Sequence, residues 1–83
     1  MSLLVIVQDA STGNPITDAQ FGTSSITPGA FTALNWGNGN YWVEIDANTN
    51  FCVLSDQYYI LCTNSGSNFY MTVDLKKPVP KGW

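Results

Sequence analysis

Phe31-Thr32-Ala33-Leu34-Asn35-Trp36, Gly37-Asn38-Gly39-Asn40, Tyr41-Trp42-Val43-Glu44-Ile45-Asp46: this run decides the fold class. Asn38-Gly39 at its centre is the pair most favoured in a two-residue type I′ hairpin turn, because both residues tolerate positive φ and so match the twist of the flanking strands. The residues on either side alternate. Phe31, Ala33 and Asn35 stand against Thr32, Leu34 and Trp36 on the incoming strand, and Tyr41, Val43 and Ile45 against Trp42, Glu44 and Asp46 on the returning one. Successive side chains of a strand point to opposite faces. The Tyr41, Val43, Ile45 side is therefore the core side, and Trp36 and Trp42 are expected on the other.

The same grammar runs outward in both directions. Leu3 to Gln8 is a strand that is apolar on both faces, which predicts burial on both sides, and it ends at Asp9. Ala10-Ser11-Thr12-Gly13-Asn14-Pro15 is a turn, since Gly13 can take positive φ and Pro15 removes a ladder donor. Ile16 to Phe21 is the second strand. Gly22 to Gly29 is polar and punctuated by Pro28-Gly29, a loop. Downstream, Ala47-Asn48-Thr49-Asn50 is a turn, and Phe51 to Ser55 and Tyr58 to Thr63 form a second hairpin around Asp56-Gln57. Phe69 to Leu75 is the last strand, with Phe69, Met71, Val73 and Leu75 on one face. Lys76-Lys77-Pro78-Val79-Pro80 stops the sheet, because proline cannot donate to a ladder. No stretch carries uninterrupted helical spacing. The prediction is all-β: a single Greek-key β-sandwich of about seven short, mostly antiparallel strands over residues 1–76, with 77–83 an extended proline-rich C-terminal tail.

Composition removes several functions. The 83 residues carry a formal net charge of −3, three Lys, no Arg and no His. At about 100–200 residues per domain this is one domain, and nothing in it can neutralise a row of phosphates, so nucleic acid is excluded as a partner. The apolar run Leu3 to Val7 is shorter than the roughly 7–15 residues of a signal-peptide core and far short of the ~20 that cross a bilayer as a helix. We therefore expect no signal peptide, no transmembrane segment and no membrane insertion. Only 11% of residues are charged, against about 25% in ordinary soluble domains; Asn, Ser, Thr and Gly supply the polar surface instead.

Chemistry has few carriers. Without His, a general base would have to be a carboxylate with a raised pKa or a Lys with a lowered one. Glu44 and Asp46 share a strand face as a candidate pair, but a solvated outer face explains them better. Asp9, Asp18 and Asp46 lack the 12-residue ligand cadence of a dedicated calcium loop and are expected in turns and caps. No metal, no cofactor and no enzymatic activity are predicted. Cys52 and Cys62 have no CxxC motif and no His for zinc. They are either a disulfide or two reduced core thiols. If the second hairpin is centred on Gln57, they fall directly opposite each other, within the roughly 5.5 Å Cα spacing of a disulfide.

Three segments then carry a resemblance. Val5-x-Val7-x-Asp9 followed by Thr12-Gly13-Asn14-Pro15-Ile16-Thr17-Asp18-Ala19 resembles the opening of the carboxypeptidase regulatory-like (transthyretin-like) β-sandwich family. Gly39-Asn40-Tyr41-Trp42-Val43-Glu44-Ile45 is similar to that family's hairpin entering a central strand, and Phe51 to Tyr58 is a looser third match. The loop Gly22 to Ala30 matches nothing in the family, and Gln57 stands where a Gly is usual. The resemblance implies an Ig-like or transthyretin-like sandwich without chemistry of its own. Such domains serve as appendages of secreted enzymes, surface stalks and decorations on phage particles.

The aromatics carry the functional expectation. Trp36 and Trp42 on the face opposite the core, Tyr58 and Tyr59 at a loop, and Trp83 ending the tail are the candidate interaction residues. Trp and Tyr are enriched at protein interfaces; the alternatives are a carbohydrate platform using Trp36, Trp42 and Tyr59, or burial of one or both Trp in the core. The expectation is a non-enzymatic structural module that associates with copies of itself or with a virion or cell-surface scaffold, located on a virion or extracellular surface, with a glycan-binding module as the second reading.

Overall fold

A computed structural model describes residues 2–23 and 29–78. Among them there is no helix; seven strands run β1 (Ser2–Asp9), β2 (Gln20–Gly22), β3 (Ala33–Gly37), β4 (Asn40–Glu44), β5 (Asn50–Leu54), β6 (Leu61–Asn64) and β7 (Tyr70–Leu75). They form a four-stranded sheet of order β3-β4-β1-β7 and a three-stranded sheet of order β2-β5-β6. The chain is an all-β sandwich. Every pairing is antiparallel except that of β1 with β7, which is parallel.

The β3–β4 hairpin turns as its sequence requires. Asn38 and Gly39 have φ of 54° and 79°, the two positive angles of a type I′ turn. Pairing passes from Asn35↔Tyr41 to Gly37↔Asn40, so Trp36 is the extra residue of a β-bulge. Gly39, in the hairpin turn, lies tight against β1: its carbonyl accepts from the Val7 N–H at 2.8 Å, and a Cβ there would meet the Val7 carbonyl oxygen at 2.5 Å.

The inner faces close one core. Leu3, Val5 and Val7 of β1, Tyr41 and Val43 of β4, and Val73 and Leu75 of β7 face Phe21 of β2 and Phe51 and Val53 of β5, with Ile16 and Ile45 at the margins. Phe21 meets Tyr41 edge-on, with ring centroids 5.3 Å apart. The buried Tyr41 hydroxyl donates to the Ile16 carbonyl at 2.7 Å and accepts from the Ala19 N–H at 3.0 Å. It thereby pins the connection between the two sheets, and burial pushes its pKa up.

Several expectations change, among them the return strand of the second hairpin, which spans Leu61–Asn64 rather than Tyr58 to Thr63 because the Tyr58 N–H turns back to the Ser55 carbonyl. β1 is buried on one face only: its inward residues are closed, while Leu4 and Ile6 are only partly covered, because no strand among the described residues packs outside the four-stranded sheet. The second strand is shorter than Ile16 to Phe21. Pro15 makes a single bridge to Gln8 and Ile16 plugs the core from a loop, so ladder pairing begins only at Gln20. Phe69 does not join Met71, Val73 and Leu75; it precedes β7 and is exposed. Cys52 and Cys62, by contrast, are in register across β5 and β6 and form a disulfide, the first of the two states open to them.

Candidate functional site

The outer face of the four-stranded sheet is the most unusual surface of the domain. Register places Leu34 opposite Trp42, Trp42 opposite Leu4, and Leu4 opposite Tyr70. These four side chains form one apolar row across β3, β4, β1 and β7. At about 4.8 Å per strand the row is roughly 14 Å long. Leu34 is 57% exposed and Tyr70 63%. Beside the row stand Ile6, and Trp36 at 59% exposure. The bulge sets Trp36 diagonally over Trp42, their rings parallel within 4° at a centroid distance of 5.3 Å.

The row is bracketed by polar pairs. At one end the Ser2 hydroxyl donates to the Glu44 carboxylate at 2.8 Å, and at the other the Gln8 side-chain amide donates to Asp74 at 2.8 Å. The four strands contain no cation. Glu44 and Asp74 pair with Ser2 and Gln8, six residues apart along β1, hence on the order of 20 Å from each other. They cannot act as a carboxylate pair; Asp46, just past the end of β4, borders the same shallow depression as Glu44. What the face offers is apolar area with a polar rim, the anatomy of a docking surface.

The structure confirms the outward placement of Trp36 and Trp42 but scatters the remaining candidates. Tyr58 is tied into the fold. Its hydroxyl donates to the nearly buried Asp9 carboxylate at 2.8 Å, its ring packs on the core, and the Lys77 ammonium sits 5.3 Å over the ring. Asp9 also accepts from the N–H groups of Ser11 and Thr12. The Tyr58 hydroxyl first, and then the Ser11 N–H, hold its pKa below the usual carboxylate range; Asp9 in turn raises that of Tyr58. Lys77, the first residue of the expected tail, is thus held against the domain. Tyr59 is exposed, and its N–H donates to the Lys76 carbonyl just past β7, so β1 and β7 separate it from the tryptophan pair. Trp83 lies outside the described residues.

Sequence reasoning missed Leu4, Ile6, Leu34 and Tyr70. The alternation of each strand did place Leu34 with Trp36, and Tyr70 opposite Val73 and Leu75. What was missing was the order of the strands in the sheet, which alone brings the four residues into a row.

A depression of about 660 Å³ lies beside the disulfide, lined by residues that include Thr23, Ile60, Thr63 and Asn64 and no ionisable group. Among the described residues, no three His, Cys, Asp or Glu side chains converge as metal ligands would, and every buried side-chain nitrogen or oxygen has a hydrogen-bond partner. No described helix is long and apolar enough to cross a membrane. No protein-family model matches the chain, and neither a curated protein nor a solved structure is significantly similar to it.

Proposed function

We propose that this β-sandwich is a non-enzymatic interaction module that docks through the outer face of its four-stranded sheet onto a protein surface. The observation that carries the reading is the in-register row Leu34, Trp42, Leu4 and Tyr70, exposed at its Leu34 and Tyr70 ends and half-buried at Trp42 and Leu4, with the exposed Trp36 stacked on Trp42. Isolated exposed hydrophobics need no explanation, but a contiguous apolar strip rimmed by polar groups marks an interaction site.

The alternative is a glycan platform, and the ring geometry speaks against it. A glycan platform of several rings needs them side by side, whereas Trp36 is stacked on Trp42 and leaves one outer indole face, and Tyr59 lies off this sheet face. The Cys52–Cys62 bond supports an oxidising location, such as a cell surface or a particle outside the cell. Within that setting, the motif resemblance to carboxypeptidase regulatory-like sandwiches and the low charge favour a structural subunit, such as a virion decoration or surface-protein module.

The test uses tryptophan emission in dilute protein carrying Trp83→Phe, so that Trp36 and Trp42 alone report. Docking predicts that acrylamide quenches their emission, chiefly through the exposed Trp36, and that a panel of oligosaccharides leaves it unchanged. A sugar-dependent shift abolished by Trp36→Ala would transfer the protein to the glycan class. Tryptophans shielded from acrylamide would remove the docking face altogether.

A further inference from the structure

We infer that the occupant of this face is a second copy of the chain, packed sheet on sheet in an isologous dimer. The inference rests on the docking reading above and adds the partner's identity. The first support is self-complementarity written into the register. Two sheets packed face to face keep their strands within about 30° of each other. Consider a two-fold axis running along the strands between β4 and β1. It lays each strand of one copy over its mirror position in the order β3-β4-β1-β7. Leu34 then meets the second copy's Tyr70, and Trp42 meets the second copy's Leu4. Each aromatic side chain falls against an aliphatic one, so the layers can interdigitate.

The same operation resolves the charges. Glu44 on β4 comes over the second copy's Ser2 on β1, and Asp74 on β7 falls beyond the second copy's β3, so no carboxylate faces another. A partner of opposite charge has no cation or dense acidic patch here to recognise. Each acid on this face is at the rim and already accepts a hydrogen bond from its own chain. An uncharged centre is what two copies of an acidic protein require.

Area is the second support. The open parts of Leu34, Trp36, Tyr70, Leu4, Ile6 and Trp42 amount to roughly 500 Å² per copy, taking about 150–250 Å² for a whole aromatic side chain. With the polar rim, two copies would remove on the order of 1,200 Å² from water, the lower bound of stable interfaces. The dimer is therefore expected to dissociate on dilution, and the row's residues to dominate its affinity.

Sedimentation velocity with the full chain at roughly 1 to 300 μM, a range spanning typical weak-dimer constants, provides the test. The expected result is a concentration-dependent shift from the 9.1 kDa monomer to twice that mass. Leu34→Ser and Tyr70→Ser should each raise the dissociation constant about 100-fold, because every dimer loses two copies of the side chain. Both positions are exposed in the monomer, and circular dichroism checks that the variants fold. A dimer indifferent to both substitutions would mean that the copies meet elsewhere and would overturn the inference. A wild type that stays monomeric throughout, with tryptophans open to acrylamide, also overturns it while the docking reading stands. A monomer with shielded tryptophans refutes both.

Discussion

Replacing Gly39 by Ala should cost far more than replacing Gly37, although both glycines belong to one hairpin and both have positive φ, 79° and 88°. An alanine at positive φ costs about 1–2 kcal/mol, partly offset by the roughly 0.4–1 kcal/mol gained from a less flexible unfolded chain. That predicts about 1 kcal/mol for Gly37→Ala, whose added Cβ would meet nothing within 4 Å. At Gly39 the Cβ would lie 2.5 Å from the Val7 carbonyl oxygen and 3.1 Å from the Pro15 Cβ. The carbonyl cannot swing aside freely, since it accepts the Ile16 N–H at 3.0 Å and belongs to β1, which is paired on both sides. Forcing atoms into such a site costs about 1–3 kcal/mol more, bringing Gly39→Ala to about 2–4 kcal/mol. A domain of this size has roughly 4–12 kcal/mol in total. Urea unfolding followed by circular dichroism measures it: with a slope near 1 kcal/mol/M, the midpoint should drop by about 3 M for Gly39→Ala and about 1 M for Gly37→Ala. Equal drops would refute the claim that close approach to β1, rather than turn conformation, fixes the glycine.

Further outcomes follow from the same structure. Reducing the Cys52–Cys62 bond, which spans 10 residues, should lower stability by about 2.7 kcal/mol on the loop-entropy relation, read as a reduced urea midpoint in dithiothreitol and no change in a Cys52→Ala, Cys62→Ala protein. Tyr41→Phe deletes a buried hydroxyl that serves both the Ile16 carbonyl and the Ala19 N–H and should cost about 1–3 kcal/mol; a neutral effect would show that the connection into β2 is held by other contacts. Acid should weaken the fold through Asp9 and Asp18, whose pKa values are lowered below 3.8, Asp9 chiefly by the Tyr58 hydroxyl and Asp18 chiefly by the Ser55 hydroxyl. A depressed folded-state pKa gives stability that is whole above the unfolded value and is lost as pH falls through 3.8 and then through the folded value. Urea midpoints should therefore decline below about pH 4.5, and less steeply in Asp9→Asn; an unchanged slope in that variant would remove Asp9 as a cause.

Local pattern made some parts of this molecule legible and left others hidden. Asn38-Gly39 specified its own turn, because positive φ at two successive positions is a property of those residues. Alternation in residues 41–45 then assigned Tyr41, Val43 and Ile45 to the core, as observed. Cys52 and Cys62 came out opposite each other because a hairpin's register follows from where its loop is centred, which is again local. The failures share one cause. Leu3 to Gln8 is apolar on both faces, and period-two alternation cannot say whether a second layer covers the outer side. Among the described residues no layer does, so Leu4 and Ile6 belong to the candidate site rather than to a core. Tyr58 reads as a loop aromatic, yet its hydroxyl is spent on Asp9, 49 residues away.

Local chemistry along the chain thus set the class of object: short strands, tight turns, one inward face per strand, and a surface wetted by neutral polar groups. Which strands became neighbours was set by the packing of the whole domain. The parallel pairing of β1 with β7 joins residues 66 apart, such as Leu4 and Tyr70, and no turn chemistry can encode a contact that closes only when the intervening strands have packed. That pairing completes the row from Leu34 to Tyr70, and with it the surface from which the function is read.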